Sequence, residues 1–157
     1  MVLNIFSSGM NMSLQNWLNN GWLKKHKASS QEISSLLAMV DRDLSDCETP
    51  GLSPDWRLNI AYNAALQAAT AALSASGYRA AREAHHYRVI QSLAYTLNAD
   101  PGLIALFDRF RKKRNISEYD RTGMVSNQEA SEMVELAKQI CREVEKWLHE
   151  NHPALMT

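Results

Sequence analysis

The chain has 157 residues, and its 17 lysines and arginines are balanced by 17 aspartates and glutamates. This length suits one domain with a hydrophobic core, and the zero formal net charge excludes a global attraction to nucleic acid or to an anionic membrane. Any attraction to an anion must therefore come from a local cluster of side chains. No segment approaches the roughly 20 apolar residues of a transmembrane helix, so we expect no association with a membrane.

The two cysteines, Cys47 and Cys141, lie far apart in the sequence. They are too few for a disulfide framework and are typical of buried thiols in a reducing compartment. The first twelve residues contain neither a basic leader nor a sustained apolar run. Together these features predict a cytoplasmic protein.

Apolar residues recur at helical spacing along most of the chain, and alternating runs rich in β-branched residues are missing, which predicts an all-α fold. We expect a flexible N-terminal extension over residues 1–12, a single helical-bundle domain over residues 13–150 and a C-terminal tail over residues 151–157. The segment "SLQNWLNNGWLKKH" predicts a first amphipathic helix that Gly21 interrupts. Ser53 followed by Pro54 predicts an N-cap and a first helical residue, which open a long alanine-rich helix that ends at Gly77.

Two serines mark the starts of other predicted helices, since Ser29 with Glu32 and Ser126 with Glu129 have the spacing of a capping box. Between these helices, the pattern predicts a fourth helix from residue 78 to about residue 98 and a fifth that starts near residue 100. Long helices joined by short connections favour an up-and-down antiparallel bundle of five to six helices.

The predicted fifth helix carries the stretch "RFRKKRNISEYD", which is the most informative part of the sequence. On a helical period, its apolar stripe continues onto Arg114, whereas Lys112 and Lys113 point outward. The stripe itself consists of Leu103, Leu106, Phe107 and Phe110. Because an unpaired buried charge is costly, a guanidinium at this position needs a partner.

Two partners for this guanidinium are consistent with the spacing. In the first alternative, Arg114 forms an ion pair with Glu118, Asn115 bonds Tyr119, and the lysines are solvated near the helix end. In the second, Arg114 binds a phosphodiester through two parallel hydrogen bonds, and Asn115 assists it. The flanking cations that would complete this phosphate or RNA site are Arg111, Lys112 and Lys113.

Adjacent histidines, His85 and His86, lie on the polar half of the predicted fourth helix. If that helix packs beside the fifth, one imidazole can reach the region of Arg114 and act as a helper in proton transfer. The alternative is structural, with one ring packed into the bundle and the other in water.

The order "RKKRNISEYD" on a late helix, followed by one more long amphipathic helix, resembles the HEPN superfamily. The family signature is an arginine, commonly followed by asparagine, then a short gap and a histidine. Arg114 and Asn115 match the first half, and Tyr119 stands at the histidine position, as in the Arg-Asn…Glu-Tyr-Asp variant of some HEPN branches. The segment "GYRAAREAHHYRVIQSL" also looks like a helix of HEPN-like proteins.

The resemblance implies a HEPN-like bundle, a homodimer, and a catalytic site at Arg114, Asn115 and Tyr119. It implies one of two functions. The first is a metal-independent endoribonuclease of the toxin type that acts on RNA. The second is a catalytically inactive interaction module that dimerises and binds a protein partner such as a nucleotidyltransferase.

No cofactor and no metal are expected. The sequence has no cysteine or histidine pair with zinc-ligand spacing and no carboxylate and histidine pattern of the di-iron type. Glycine-rich phosphate loops and nucleophile elbows are also missing.

Overall fold

The protein folds as a bundle of α-helices with one small two-stranded sheet. The computed structural model describes residues 14–119 and 124–157, with side chains for residues 14–115 and 124–157. Along these residues the elements are α1 (residues 14–19), β1 (Leu23–Lys25), α2 (Ser30–Asp46), α3 (Pro54–Ala75), β2 (Tyr78–Ala80), α4 (His85–Thr96), α5 (Pro101–Tyr119), α6 (Asn127–Asn151) and a 3-10 helix (Pro153–Met156). The predicted all-α class is confirmed.

The centre of the bundle is α3, which packs against α2, α4, α5 and α6. Its sequence is apolar nearly all round, as expected of a helix enclosed by others. Small side chains let the neighbouring helices approach its backbone closely, and the alanines that are fully inaccessible to solvent are Ala61, Ala64, Ala65, Ala68, Ala69, Ala71 and Ala72. The core therefore surrounds α3, and the larger side chains of α3 must fit between four other helices.

Serine caps begin three of the helices, as the sequence predicts. The Ser53 hydroxyl accepts a hydrogen bond from the backbone of Trp56, directly before Pro54. Ser126 forms the complete capping box with Glu129. Ser29 accepts from the backbone of Glu32, but the Glu32 carboxylate lies 2.7 and 2.9 Å from the imidazole of His26. Only half of the predicted box forms there, because the histidine takes the carboxylate.

The prediction of the fourth helix was wrong for its first residues. Its first three residues are strand β2, and α4 begins only at His85. The predicted first helix likewise ends early, and its last residues form β1, which pairs with β2 in an antiparallel sheet. Gly21 and Gly77, with φ angles of +78° and +99°, let the chain turn away at the ends of the preceding helices. Leu23 and Ala80 then pair in the sheet, and both are buried in the core.

The residues predicted as a C-terminal tail include the 3-10 helix, which contacts α2 and α6. Its Leu155 and Met156 pack on the core, and the Ser30 hydroxyl lies 3.3 Å from the carbonyl oxygen of Ala154. The predicted extension at residues 1–12 lies outside the described residues. None of the helices described is both long and apolar enough to cross a membrane.

Candidate functional site

The candidate site is assembled where α3, α4 and α5 meet. The buried stripe of α5 consists of Ile104, Phe107 and Phe110, whereas Leu103 and Leu106 are only partly buried. The apolar stripe predicted from the sequence is therefore rotated slightly around the helix axis relative to the buried stripe that packs against α3 and α4.

Arg114 follows the buried stripe by one turn and is half-buried. Its guanidinium carbon lies 5.0 Å from the centre of the Tyr62 ring, within the range of a cation–π interaction. The arginine therefore contacts the central helix, as expected of a charged residue at the inward edge of the stripe.

Tyr62 of α3 is fully buried and touches side chains from both neighbouring helices. Its ring makes an edge contact with Phe107 at 5.6 Å between centroids. Its hydroxyl oxygen lies 3.3 Å from Nδ1 of His86, at the long end of hydrogen-bond distance. One phenol thus joins the arginine of α5 to a histidine of α4.

The two adjacent histidines differ in environment. His86 is half-buried against Tyr62, and His85 is exposed, with its ring centroid 6.0 Å from that of His86. Adjacent residues of an α-helix point about 100° apart, so one ring faces α3 while the other faces solvent. The helix α4 begins at His85, directly after Ala84 in a left-handed conformation with φ +52°. Of the two candidate helpers, the structure brings His86 into the cluster with Arg114.

The three flanking cations already have carboxylate partners. Arg111 Nε lies 2.7 Å from Asp108 Oδ1, and Lys112 Nζ lies 3.6 Å from the other oxygen of that carboxylate. Lys113 was expected to point to solvent, but it is half-buried and its Nζ lies 3.4 Å from Glu129 Oε2 in the first turn of α6.

The ionised carboxylate of Glu129 is stabilised mainly by the first turn of its own helix. Its pKa is lowered chiefly by the hydrogen bond from the Ser126 backbone, with a smaller contribution from Lys113. Both interactions favour the ionised carboxylate, so the Lys113 ammonium meets a fixed negative charge. Lys113 thereby ties the end of α5 to α6 and is less available to an incoming phosphate than the sequence suggests.

Asn115 is half-buried on the same helix. The side chains of Glu118 and Tyr119 lie outside the described residues, although the α5 backbone is helical as far as Tyr119. The pairings of Arg114 with Glu118 and of Asn115 with Tyr119 stay predictions.

Sequence reasoning missed the role of Tyr62. The signal lies in α3, where Asp55, Asn59 and Tyr62 share one face at spacings of four and three residues in an otherwise alanine-rich helix. Asp55 is buried, and Asn59 Oδ1 is a buried acceptor without a hydrogen-bond partner among the described residues. A polar strip on a buried helix calls for polar groups opposite, and here the imidazole and the guanidinium meet its tyrosine.

The arrangement offers a cation, an imidazole and a phenol from three helices within a small region. Such a set can hold an anion and move a proton. Within residues 14–119 and 124–157, no group of three or more histidine, cysteine or carboxylate side chains is placed to hold a metal ion. Comparison with protein-family models, with curated proteins and with solved structures found no match to this chain.

Proposed function

We propose that the chain is a HEPN-like, metal-independent endoribonuclease whose site comprises Arg114, Asn115 and Tyr119, with His86 as the proton-transfer group that the motif otherwise lacks. The observation that carries this proposal is the convergence of Arg114 and His86 on Tyr62. A guanidinium suits a phosphate in charge and shape, and an imidazole changes its protonation near neutral pH. Together they can supply the charge stabilisation and the proton transfer that RNA cleavage without a metal requires.

In the proposed reaction, the RNA 2′-oxygen attacks the adjacent phosphorus and the bond from phosphorus to the 5′-oxygen breaks. His86 accepts the proton of the 2′-hydroxyl, and Arg114 stabilises the charge that builds on the phosphate oxygens. Asn115 orients the phosphate, and Tyr119 gives a proton to the leaving 5′-oxygen. Proton exchange with water then restores both side chains. The products are a 2′,3′-cyclic phosphate and a 5′-hydroxyl end.

A homodimer is part of the proposal. Because α5 is helical through Tyr119, positions 114 and 119 lie about 140° apart around its axis. One copy then presents the arginine and a second copy presents the tyrosine to the same phosphate. Mixing Arg114→Ala and Tyr119→Phe chains should restore activity in the heterodimers, which carry one intact site.

The assignment of His86 is tested by comparing His86→Gln with His85→Gln in RNA cleavage with a chelator present. We expect His86→Gln to lose at least a hundredfold in rate, as for a general base, and His85→Gln to stay within a fewfold of the wild type. Circular dichroism checks that both variants fold. Equal losses in the two variants, or no loss in His86→Gln, would remove His86 from the mechanism.

An interaction module is the second candidate, and one observation favours it. Trp56, at the start of α3, is 62% exposed, and a tryptophan so placed is a common anchor for a protein partner. In this case the chain forms a dimer or binds a nucleotidyltransferase-type protein, and it has no nuclease activity to lose. Trp56→Ala would then weaken self-association in sedimentation equilibrium, or binding to the purified partner, without any effect on RNA.

A further inference from the structure

A second group of cations and aromatic rings lies beside the candidate site, where the two-stranded sheet meets the start of α4. The guanidinium carbon of Arg88 lies 3.6 Å from the ring centre of Trp22 and 5.5 Å from that of Tyr87. The guanidinium carbon of Arg111 also lies 5.5 Å from the ring centre of Tyr87. Trp22, Arg88, Tyr87 and Arg111 therefore form a continuous surface of alternating rings and cations, which we call the aromatic track.

Both rings of the aromatic track remain accessible, with Trp22 36% and Tyr87 37% exposed. Trp22 also makes an edge contact with Trp17 at 6.1 Å, which helps to fix its orientation. The stacked tryptophan in turn holds the Arg88 guanidinium in place. Trp22 already carries the Arg88 guanidinium at 3.6 Å, whereas both guanidinium groups near Tyr87 lie farther from its ring centre, so Tyr87 is the ring better placed to receive a further planar group.

The adjoining sheet adds positive charge. Lys24 and Arg79 are opposite each other in the register of β1 and β2, and both are exposed. Like charges directly opposite are unfavourable, so phosphate groups bound to the two cations would relieve the repulsion. Residues 22–28 and 78–88 together contain one acidic residue, Glu83, against six cations: Lys24, Lys25, Lys27, Arg79, Arg82 and Arg88. Among the described residues, neither Lys24 nor Arg79 forms an ion pair with a carboxylate.

Part of the aromatic track is carried by α4 and α5, the two helices that also carry His86 and Arg114. Tyr87 directly follows His86 in α4, and Arg111 precedes Arg114 by three residues, close to one turn of α5.

We infer that the aromatic track and the Lys24–Arg79 pair bind single-stranded RNA. In this arrangement a base stacks on Tyr87, and the flanking phosphates contact Arg88, Lys24 and Arg79. Aromatic rings interleaved with cations suit single strands, whose bases are free to stack on protein, whereas a duplex keeps its bases paired inside. The identification of the natural strand as RNA rests on the proposed function. The binding surface itself is inferred from the rings and cations alone.

The test is fluorescence anisotropy with a labelled 2′-O-methyl oligouridine, which cannot be cleaved because its 2′-oxygen is blocked. We expect Tyr87→Ala to weaken binding about tenfold, as for loss of one stacked base, and Tyr87→Phe to bind like the wild type. Met39→Ala is the matched control, since it removes a similarly exposed large apolar side chain from α2 and should leave the affinity unchanged.

The charge contribution is measured separately from the salt dependence. In the Lys24→Ala/Arg79→Ala variant, the slope of log affinity against log salt should fall by about 1.4, which is about 0.7 for each phosphate contact with a single strand. Lys146→Ala, in which an exposed cation of α6 is removed, should leave the slope unchanged.

Three results would overturn the inference: no binding by the wild type, equal binding of a duplex of the same length, or full affinity in Tyr87→Ala. Its failure can be told apart from failure of the proposed function. Cleavage that depends on Arg114, with binding that is insensitive to Tyr87, removes only this surface. Binding that depends on Tyr87, without any cleavage of an unmodified strand, leaves the surface in place and removes the nuclease.

Discussion

Removing a single oxygen atom from Tyr62 tests how the candidate site is held together. In Tyr62→Phe the ring stays in place, so its edge contact with Phe107 and its contact with the Arg114 guanidinium persist. The hydroxyl, which lies 3.3 Å from Nδ1 of His86, is lost. A net hydrogen bond contributes about 0.5 to 1.5 kcal/mol, so we expect the free energy of unfolding to fall by about 1 kcal/mol.

Tyr62→Leu removes the ring as well. An aromatic pair contributes about 1 kcal/mol beyond its buried area, and a partly desolvated cation–π contact contributes about 1 kcal/mol more. The expected total loss in Tyr62→Leu is therefore about 3 kcal/mol. Urea unfolding of the two variants and the wild type measures both differences, provided that the dependence on urea is the same in all three.

Tyr95→Phe is the matched control. Tyr95 is half-buried with its ring against Trp17, and its hydroxyl has no hydrogen bond among the described residues. We expect its loss to change the unfolding free energy by less than about 0.5 kcal/mol. If Tyr62→Phe is as stable as the wild type, or if Tyr62→Leu is no less stable than Tyr62→Phe, the account of the cluster is wrong.

Three further predictions concern other parts of the fold. Burial raises the pKa of Cys141 to about 12, above that of the unfolded thiol, so its contribution to stability is complete below about pH 9 and is lost as the pH rises towards 12. Urea unfolding from pH 8 to 10.5 should show a decline above about pH 9.5 that is steeper in the wild type than in Cys141→Ala by up to about 1.4 kcal/mol per pH unit, and an equal decline in both proteins would contradict it. Ser126→Ala breaks the capping box of α6 and should lower the unfolding free energy by about 1 kcal/mol, whereas an unchanged urea midpoint would show that the box adds nothing. Arg88→Ala removes the guanidinium stacked on Trp22, so amide hydrogen exchange over residues 14–27 should accelerate relative to α6, and unchanged exchange would show that the stacking does not hold this segment.

The starts of α2, α3 and α6 could be read from the sequence because their signals are local, whereas α4, which has no side-chain cap, was predicted to start too early. A serine cap followed by proline, as at Ser53 and Pro54, acts within a few residues. The small sheet could not be predicted in this way, since its pairing joins Leu23 to Ala80 across two intervening helices. A three-residue strand has almost no pattern of its own and forms only when its partner is nearby.

The candidate site, like the fold, could be predicted only where its signal is local. The apolar stripe of α5 identified Arg114 as an inward-facing charge, because helical spacing alone sets that direction. Its neighbours depend on how α3, α4 and α5 are rotated against one another, and no local pattern specifies this. For that reason the sequence left His85 and His86 equal, whereas the structure places only His86 against Tyr62.

The most direct test of the central claim is RNA cleavage in the presence of a chelator by the wild type, by Arg114→Ala and by Arg109→Ala. Arg109 is an exposed arginine on the same helix and controls for the loss of one positive charge. We predict 2′,3′-cyclic phosphate ends from the wild type and from Arg109→Ala. Arg114→Ala should lose at least a hundredfold in rate, the size expected when a group that stabilises transition-state charge is removed. Cleavage that survives in a folded Arg114→Ala protein, or a wild type that cuts no RNA, would contradict that claim.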